Sequence, residues 1–476
     1  MSEARPELKK DISALQFFTL GFGTIIGVGW VVVLGQWLSK AGPLGAILGF
    51  AGGGLIMMLV ALCYAEMSSQ LPVAGGEVAY AYELYGVNMS FAIGWAMALI
   101  YIATTTFEAV SVGWVAGALL EGFEGRILYT VRGDPVYLGS LALGLGGMAF
   151  LTYLNYRGAK AATRFQDVLT YGVLGCSLIF VTAGLVWGKA SNLEPLFQQT
   201  GSVGMGIASV LVTAPFWYGG FNVIPQAIEE MAPGTSVKLV GRMMLLALFS
   251  AGFFYCIVIL SASMSLPWQE MLELELPAAG AFEAALNSPA LANLVLLAAF
   301  LGIVTTWNAM FLAGSRVLFA LGRATIIPPA FASVHSKFRS PATAVLFVGV
   351  IGSAGVFLGR GAIVPIVNVG ATCLTLGYLI TCWGVIKMRR DQPERERPFR
   401  VPGGIATASL AVLGCLYMLF MTLYGPYSSA EGSFPLEWMI FLAWGALGAI
   451  FWFGARRLRG SVSEAERRKQ ILGEGR

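Results

Sequence analysis

Gly23-Thr24-Ile25-Ile26-Gly27-Val28-Gly29-Trp30 lies inside the first long apolar run of the chain, and the fold turns on how it is read. Each glycine in a helix costs about 1 kcal/mol relative to alanine, and Gly23, Gly27 and Gly29 fall within two turns. Close helix packing through small residues is one explanation. The other is an unwound segment whose freed amides face a cavity, since irregular backbone at membrane depth must face protein or water. A second interruption favours unwinding. The sixth apolar run carries Pro215-Phe216-Trp217-Tyr218-Gly219-Gly220-Phe221-Asn222, followed by Pro225. Five runs separate the two, so the sixth helix runs opposite to the first. The pattern predicts a five-plus-five inverted repeat with broken first and sixth helices. Paired interruptions of this kind point to a transport site at the bilayer midplane. Amides freed near Ile25–Gly29 suit an anion, and carbonyls freed near Phe216–Gly219 suit a cation. A zwitterion fits both.

Composition sets the same stage. Of 476 residues, 57% are hydrophobic and 12% charged, against roughly 25% charged in a soluble domain. Too little polar surface remains to cover a globular core, which excludes a soluble enzyme, a disordered chain and a secreted disulfide scaffold. Runs of about 20 apolar residues cross a bilayer as helices, and the ~10-residue alternation of a barrel is not seen. Twelve spans are predicted, giving an all-α membrane protein: 15–38, 43–66, 89–119, 136–155, 166–187, 203–228, 241–266, 290–313, 342–359, 362–386, 405–424 and 438–455. The first run is too long for a signal-peptide core and lacks a small-residue cleavage site, so it is expected to be retained.

With the N-terminus inside, the inner segments hold 25 of the 30 Lys and Arg residues; Lys40, Arg126, Arg132, Lys189 and Arg360 lie outside. That split obeys the positive-inside rule and places both termini in the cytoplasm of a cell-membrane protein. The net charge of +4 is then a topology signal, with the lipid bilayer as partner and no nucleic acid. The organisation expected is a cytoplasmic tail at 1–14, a transport core at 15–388, a cytoplasmic loop with two further helices at 389–456, and a cytoplasmic tail at 457–476.

Little enzymatic chemistry is available. Cys63, Cys176, Cys256, Cys373, Cys382 and Cys415 all sit in apolar runs, where a thiol behaves as a small hydrophobe, and no spacing suggests a metal or a disulfide framework. The one histidine, His335, lies in a polar loop beside Lys337 and Arg339. No metal and no cofactor are expected, and the chain is read as no enzyme. Nor does any repeated polar ring suggest a channel filter. Glu108, in Thr104-Thr105-Thr106-Phe107-Glu108, stands in mid-span with no charged neighbour in sequence. A carboxylate there faces protein or water; it is either a structural group bonded to hydroxyls or a functional one. Glu66, nearer the span end, reads as structural.

Four motifs, in order and at matching spacing, carry a resemblance. Beside Gly23–Gly29 they are Pro72-Val73-Ala74-Gly75-Gly76-Glu77-Val78-Ala79-Tyr80-Ala81-Tyr82, Glu229-Glu230-Met231-Ala232-Pro233, and Ser315-Arg316 with Arg323 and Pro328. Over essentially its whole length the chain resembles the amino acid–polyamine–organocation superfamily of secondary transporters. The resemblance implies a LeuT-type fold, alternating access, and an amino acid or related amine as cargo. It implies that Ile25, Val28 and Gly29 amides hold a substrate carboxylate, that Phe216 and Gly219 carbonyls face its amine, and that Phe216 is an aromatic lid. Val28 and Trp30 depart from the small and aliphatic residues usual there. The third helix of the family carries a substrate contact near Glu108, which makes it a ligand for an amine or a proton acceptor. Asn222 stands where the family often has an acidic residue; it either bonds the unwound backbone or caps the next half-helix. Lys160 and Arg164 read as solvated or lipid-facing, and the lysine that replaces sodium in some relatives is absent, its place being taken by Val173. Thr305 and Thr306, with carbonyls of Gly23 and Ile26, supply oxygen ligands a sodium ion would accept, so the coupling ion, proton or sodium, stays open. Two other readings also stay open: a carrier of a carboxylate-free amine (ethanolamine- or polyamine-like) countered by Glu108, and a non-transporting sensor. A monomer and a homodimer are both compatible.

Overall fold

A computed structural model describes residues 5–429 and 434–473. The chain opens with α1 (Ala14–Ile25), α2 (Gly29–Val32), α3 (Leu34–Gln70) and α4 (Glu77–Leu119). A hairpin of β1 (Ile127–Val131) and β2 (Asp134–Tyr137) leads to α5 (Leu138–Tyr156) and α6 (Ala159–Trp187). Next come α7 (Val203–Trp217), α8 (Val223–Ala227), α9 (Val237–Ser265), α10 (Trp268–Met271), α11 (Pro277–Leu286) and α12 (Pro289–Arg323). The chain then runs through α13 (Ala342–Val356), α14 (Ile363–Asp391), α15 (Ile405–Ser429), α16 (Leu436–Gly454), α17 (Arg456–Ser461) and α18 (Glu464–Leu472).

The protein is therefore mostly helical, with little strand. Among the described residues ten helical stretches are long and apolar enough to cross a bilayer, and Val203–Trp217 and Ala342–Val356 are shorter apolar helices. The first and sixth of the twelve expected runs are interrupted, at Ile26–Val28 and at Tyr218–Asn222. Ser13 opens α1 with a reciprocal cap: its Oγ accepts from the Gln16 amide at 3.3 Å, and the Gln16 side chain accepts from the Ser13 amide at 3.1 Å. Several runs continue past their predicted ends because periodicity cannot see backbone breaks. Gly42 (φ +71°) splits α3, and Gly86 (φ +74°) separates Glu77–Tyr85 from the long remainder of α4. Few residues other than glycine adopt such values without strain.

α3 packs along α7 and α9, while α12 and α14 flank α4. The α3–α7 seam is lined by Gly45, Gly49 and Gly53; a Cβ at Gly49 would lie 2.7 Å from Val210 Cβ. Small residues four apart let two backbones approach, which is how helices associate where lipid is as apolar as leucine. Two segments between the long helices are themselves folded. Arg132 and Gly133, both with positive φ, close the β1–β2 hairpin. The acidic stretch after α9 folds into α10 and α11, where Ala278, Ala281 and Phe282 are buried and the Phe282 ring lies 4.8 Å from that of Phe180.

The C-terminal segment is likewise no loose tail. The Tyr82 hydroxyl donates to Glu464 at 2.5 Å, Arg468 pairs with Glu83 at 2.8 Å, and Arg5 Nε donates to the Gln470 carbonyl at 3.1 Å.

Candidate functional site

The two helix breaks meet. A Cβ placed on Gly220, whose φ is +133°, would stand 2.9 Å from Thr24 Cγ2 and 3.1 Å from the Ile25 amide nitrogen. Glycine at this position lets one unwound strand lie directly on the end of α1. Tyr255 from α9 ties the pair together: its hydroxyl lies 3.0 Å from the Ile25 carbonyl and 3.2 Å from that of Trp217. Nothing in the run around Tyr255 singled it out in the sequence beyond a hydroxyl in apolar surroundings.

At the first break the amide of Gly27 bonds back to the Ile25 carbonyl at 3.1 Å, and that of Ile26 to Phe22 at 3.1 Å. Val28 and Gly29, at the start of α2, donate to no backbone carbonyl among the described residues, as the first amides of a helix must. Ile25 differs from its expected role. It closes α1, so its amide belongs to that helix, and it presents its carbonyl instead. The ring over this strand also differs: a Cβ on Gly29 would collide with the six-membered ring of Trp217. Phe216 turns outward, 36% exposed, with its ring 5.1 Å from Trp217. A one-residue rotation along α7 exchanges the two aromatics, and sequence alone does not fix that phase.

At the second break the Phe216 carbonyl accepts from the Gly219 amide at 3.0 Å. Asn222 is fully buried and makes no helix cap; its Oδ1 accepts from the Gly220 amide at 3.2 Å and its Nδ2 donates to the Tyr101 hydroxyl at 2.7 Å. Of its two predicted uses, bonding the unwound backbone is the one observed.

Glu108 from α4 points at the first break. A Cβ on Gly27 would lie 3.7 Å from Glu108 Oε1 and 3.2 Å from Thr306 Oγ1. Glu108 is 3% exposed, and among the described residues it has no ion pair and its Oε2 has no hydrogen-bond partner. Thr305 donates to the Gly23 carbonyl at 2.7 Å and Thr306 to the Thr24 carbonyl at 3.0 Å. A Cβ on Gly302 would lie 2.7 Å from the Ile26 carbonyl oxygen; of the four residues named for sodium, Thr305 and Gly23 bond one another directly. The Thr305 and Thr306 hydroxyls donate to carbonyls, which leaves the oxygen lone pairs free.

On the face bearing the chain termini three buried carboxylates are paired with arginines. Arg323 grips Glu229 through two nitrogens at 2.7 and 2.8 Å, and Arg5 joins at 3.1 Å. Arg316 holds Glu230 at 2.8 Å, with both side chains buried. Glu66 accepts from Arg389 at 2.5 and 2.8 Å and from the Val401 amide at 2.7 Å, which fits its structural reading. His335 Nδ1 accepts from the amides of Lys337 and Phe338 and shapes a turn. No cluster of three or more metal-ligating side chains occurs among the described residues.

Comparison with known proteins identifies the family. A family model described as amino acid permease matches residues 12–446. The methylthioribose transporter of Bacillus subtilis is 28% identical over 453 residues, covering 94% of this chain and 93% of its own. The branched-chain amino acid permease of the same organism is 27% identical over 457 residues, with the same coverage. Human Asc-type amino acid transporter 1 is 27% identical over 407 residues, 83% of this chain and 75% of its own. The chain thus belongs to the amino acid permease family of the amino acid–polyamine–organocation superfamily, and is a membrane transporter and not an enzyme.

Proposed function

We propose that this permease is a secondary active transporter that moves a neutral amino acid by alternating access. Its twelve helices form a five-plus-five inverted repeat of LeuT type, residues 15–388 being the transport core, with 389–456 beside it and both termini cytoplasmic. The observation that carries the reading is the meeting of the two breaks: Gly220 lies on Thr24 and Ile25, and Tyr255 bonds the carbonyls of Ile25 and Trp217. A cargo between them reaches the Val28 and Gly29 amides on one side and Glu108 on the other. Amides at a helix start favour a carboxylate. Glu108, with one oxygen unpartnered, favours an ammonium group.

The names of the relatives support an amino acid and widen the test, since one carries a thioether sugar. Purified protein in liposomes is offered radiolabelled leucine, alanine, ethanolamine, putrescine and methylthioribose, with and without proton and sodium gradients. Saturable leucine or alanine uptake is expected. Transport of ethanolamine or putrescine alone moves the assignment to a carboxylate-free amine held by Glu108. Binding without uptake of any of the five leaves a sensor.

A further inference from the structure

A second buried carboxylate lies away from the breaks, on Glu77, and the cargo site as described makes no use of it. It follows the tight turn at Gly75 (φ +89°) and Gly76 (φ +38°), and its side chain is fully buried. The Tyr64 hydroxyl donates to Oε1 at 2.6 Å, and the amide of Gln226, on α8, donates to Oε2. Facing it are Tyr64 from α3, Tyr80 and Tyr101 from its own helix, Gln226 from α8, and Tyr378 from α14. No lysine, arginine or histidine pairs with it among the described residues. An ionised carboxylate in such surroundings is expensive unless it is neutralised, so the group has a strong reason to take up a proton.

Among the described residues three buried polar atoms around it have no hydrogen-bond partner: Tyr80 Oη, Tyr378 Oη and Gln226 Oε1. The last is informative. A glutamine amide presents a donor on one side and an acceptor on the other. Facing an ionised Glu77 it donates through Nε2. Facing a protonated Glu77 it must turn and accept through Oε1, the oxygen that now bonds nothing. Gln226 Nε2 also lies 3.5 Å from the Asn222 carbonyl one helical turn back, and Asn222 holds the Gly220 amide at the second break. A hydrogen-bonded route therefore joins Glu77 to the unwound strand that lies on Thr24 and Ile25. Toward the other end, Ala74 in the same glycine turn donates its amide to Glu229, in the ion-paired cluster that includes Arg5.

We propose that Glu77 is the proton-accepting group that couples cargo movement to protons in this permease, with Gln226 passing its protonation state to the second helix break. The step is a simple proton transfer. Hydronium gives a proton to Glu77 Oε2, leaving water; the Gln226 amide turns so that the new carboxyl O–H donates to Oε1, and Nε2 gives up both Glu77 and the Asn222 carbonyl. Release on the other side reverses it. Glu77 is a coupling and positioning residue and touches no cargo. The inference rests on the permease reading, and the test keeps the two apart.

The test uses the full chain in liposomes: wild type, Glu77→Gln, Gln226→Leu and Glu108→Gln. Leucine and alanine uptake is measured under a one-unit pH gradient, beside exchange with no gradient across a series of pH values. One coupled proton permits up to about tenfold accumulation under that gradient. Wild type is expected to approach it, whereas Glu77→Gln should fall to no accumulation with exchange retained and its pH profile flat. A merely structural role would lower exchange and accumulation together, and that result overturns the proposal. So does gradient-driven accumulation by Glu77→Gln at the wild-type level. Wild-type exchange with no response to the gradient sinks the proton role of Glu77 and leaves the permease reading standing. Should Glu77→Gln fail to fold, Gln226→Leu carries the same expected split.

Infrared difference spectra on stepwise acidification need no cargo, so they decide the matter even if neither amino acid is carried. The buried-carboxyl band must vanish in Glu77→Gln and survive in Glu108→Gln. Its persistence in Glu77→Gln overturns the proposal.

Discussion

Glu66, Glu229 and Glu230 are buried carboxylates that each hold an arginine, at 2.5 Å from Arg389, 2.7 Å from Arg323 and 2.8 Å from Arg316. Glu77 and Glu108 are buried as deeply and hold none; their neighbours are hydroxyls, an amide and backbone. Low dielectric raises the cost of an unpaired charge and the strength of a paired one together. The paired set therefore fastens the face that bears the termini, joining the N-terminal segment, the end of the sixth run, and α12. Of the unpaired set, Glu108 sits against the first helix break and Glu77 is joined to the second only through Gln226 and Asn222. On the proposed reading, a cation or a proton arriving from solution supplies the missing charge. On that reading, one residue type serves closure in one place and cargo or proton capture in the other.

The largest expected effect breaks a member of the paired set. Arg316→Met leaves Glu230 buried and alone, which costs about 3–5 kcal/mol, while replacing both partners by apolar groups of similar volume is close to neutral. Thermal unfolding of the detergent-solubilised protein should show a sharp fall for Arg316→Met, and most of it restored in the Arg316→Met/Glu230→Met double variant. An unaltered midpoint in the single variant contradicts a closure held by this pair.

The unpaired set predicts loss of function without loss of fold. Any side chain at Gly27 starts 3.2 Å from Thr306 Oγ1 and 3.7 Å from Glu108 Oε1, so Gly27→Leu fills the space in front of the carboxylate. Insertion and elution profile are expected to be normal and uptake abolished. Wild-type uptake by a well-folded Gly27→Leu protein removes the first break from the cargo path.

How the two sets were visible beforehand differs in an instructive way. The breaks at Gly23–Gly29 and Pro215–Asn222 announce themselves, because glycine and proline in an apolar run carry a local backbone cost that can be read residue by residue. Glu108 stands out for the same kind of reason, as the one charge between Leu84 and Leu120. Glu77 does not. It sits in a glycine-rich turn that reads as a loop, and only the tertiary fold encloses it in Tyr64, Tyr80, Tyr378 and Gln226. Pairings such as Glu229 with Arg323 span α12 and the end of the sixth run, and one sequence carries no record of them. Trp217 in place of Phe216 over Gly29 is a matter of helix phase, which a proline at 215 leaves undetermined.

A smaller effect separates cargo classes at Glu108. For a carboxylate-free amine, Glu108 is the counter-charge, and Glu108→Gln should weaken binding about tenfold or more, where a factor of ten is about 1.4 kcal/mol. For a zwitterion held also by the Val28 and Gly29 amides, affinity should fall much less. Calorimetry with leucine and its decarboxylated amine, isoamylamine, reads the difference directly. Equal, unchanged affinities for both ligands take Glu108 out of the cargo site.

The smallest expected effect lies on the acid limb of stability and again sets the paired group apart. Burial alone would push the Glu229 carboxyl up, but Arg323 outweighs it, helped by Arg5 and the Ala74 amide, and holds it down from 4.5 to about 2. A group depressed on folding contributes its full stability above its unfolded value and loses it as pH falls toward the folded one. The Glu229 contribution is therefore complete at pH 7, begins to fade below about pH 5, and is gone only below pH 2. At pH 4 the loss is on the order of 1 kcal/mol, because most unfolded chains then carry the proton and few folded ones do. Thermal midpoints of wild type and Glu229→Gln at pH 7, 5 and 4 measure it. Glu229→Gln should begin less stable and then show a shallower fall between pH 5 and 4, since the group that binds protons only on unfolding has been removed. Parallel declines in the two proteins would show that Glu229 is not held ionised by its arginines, and the contrast between paired and unpaired carboxylates would then lose its clearest member.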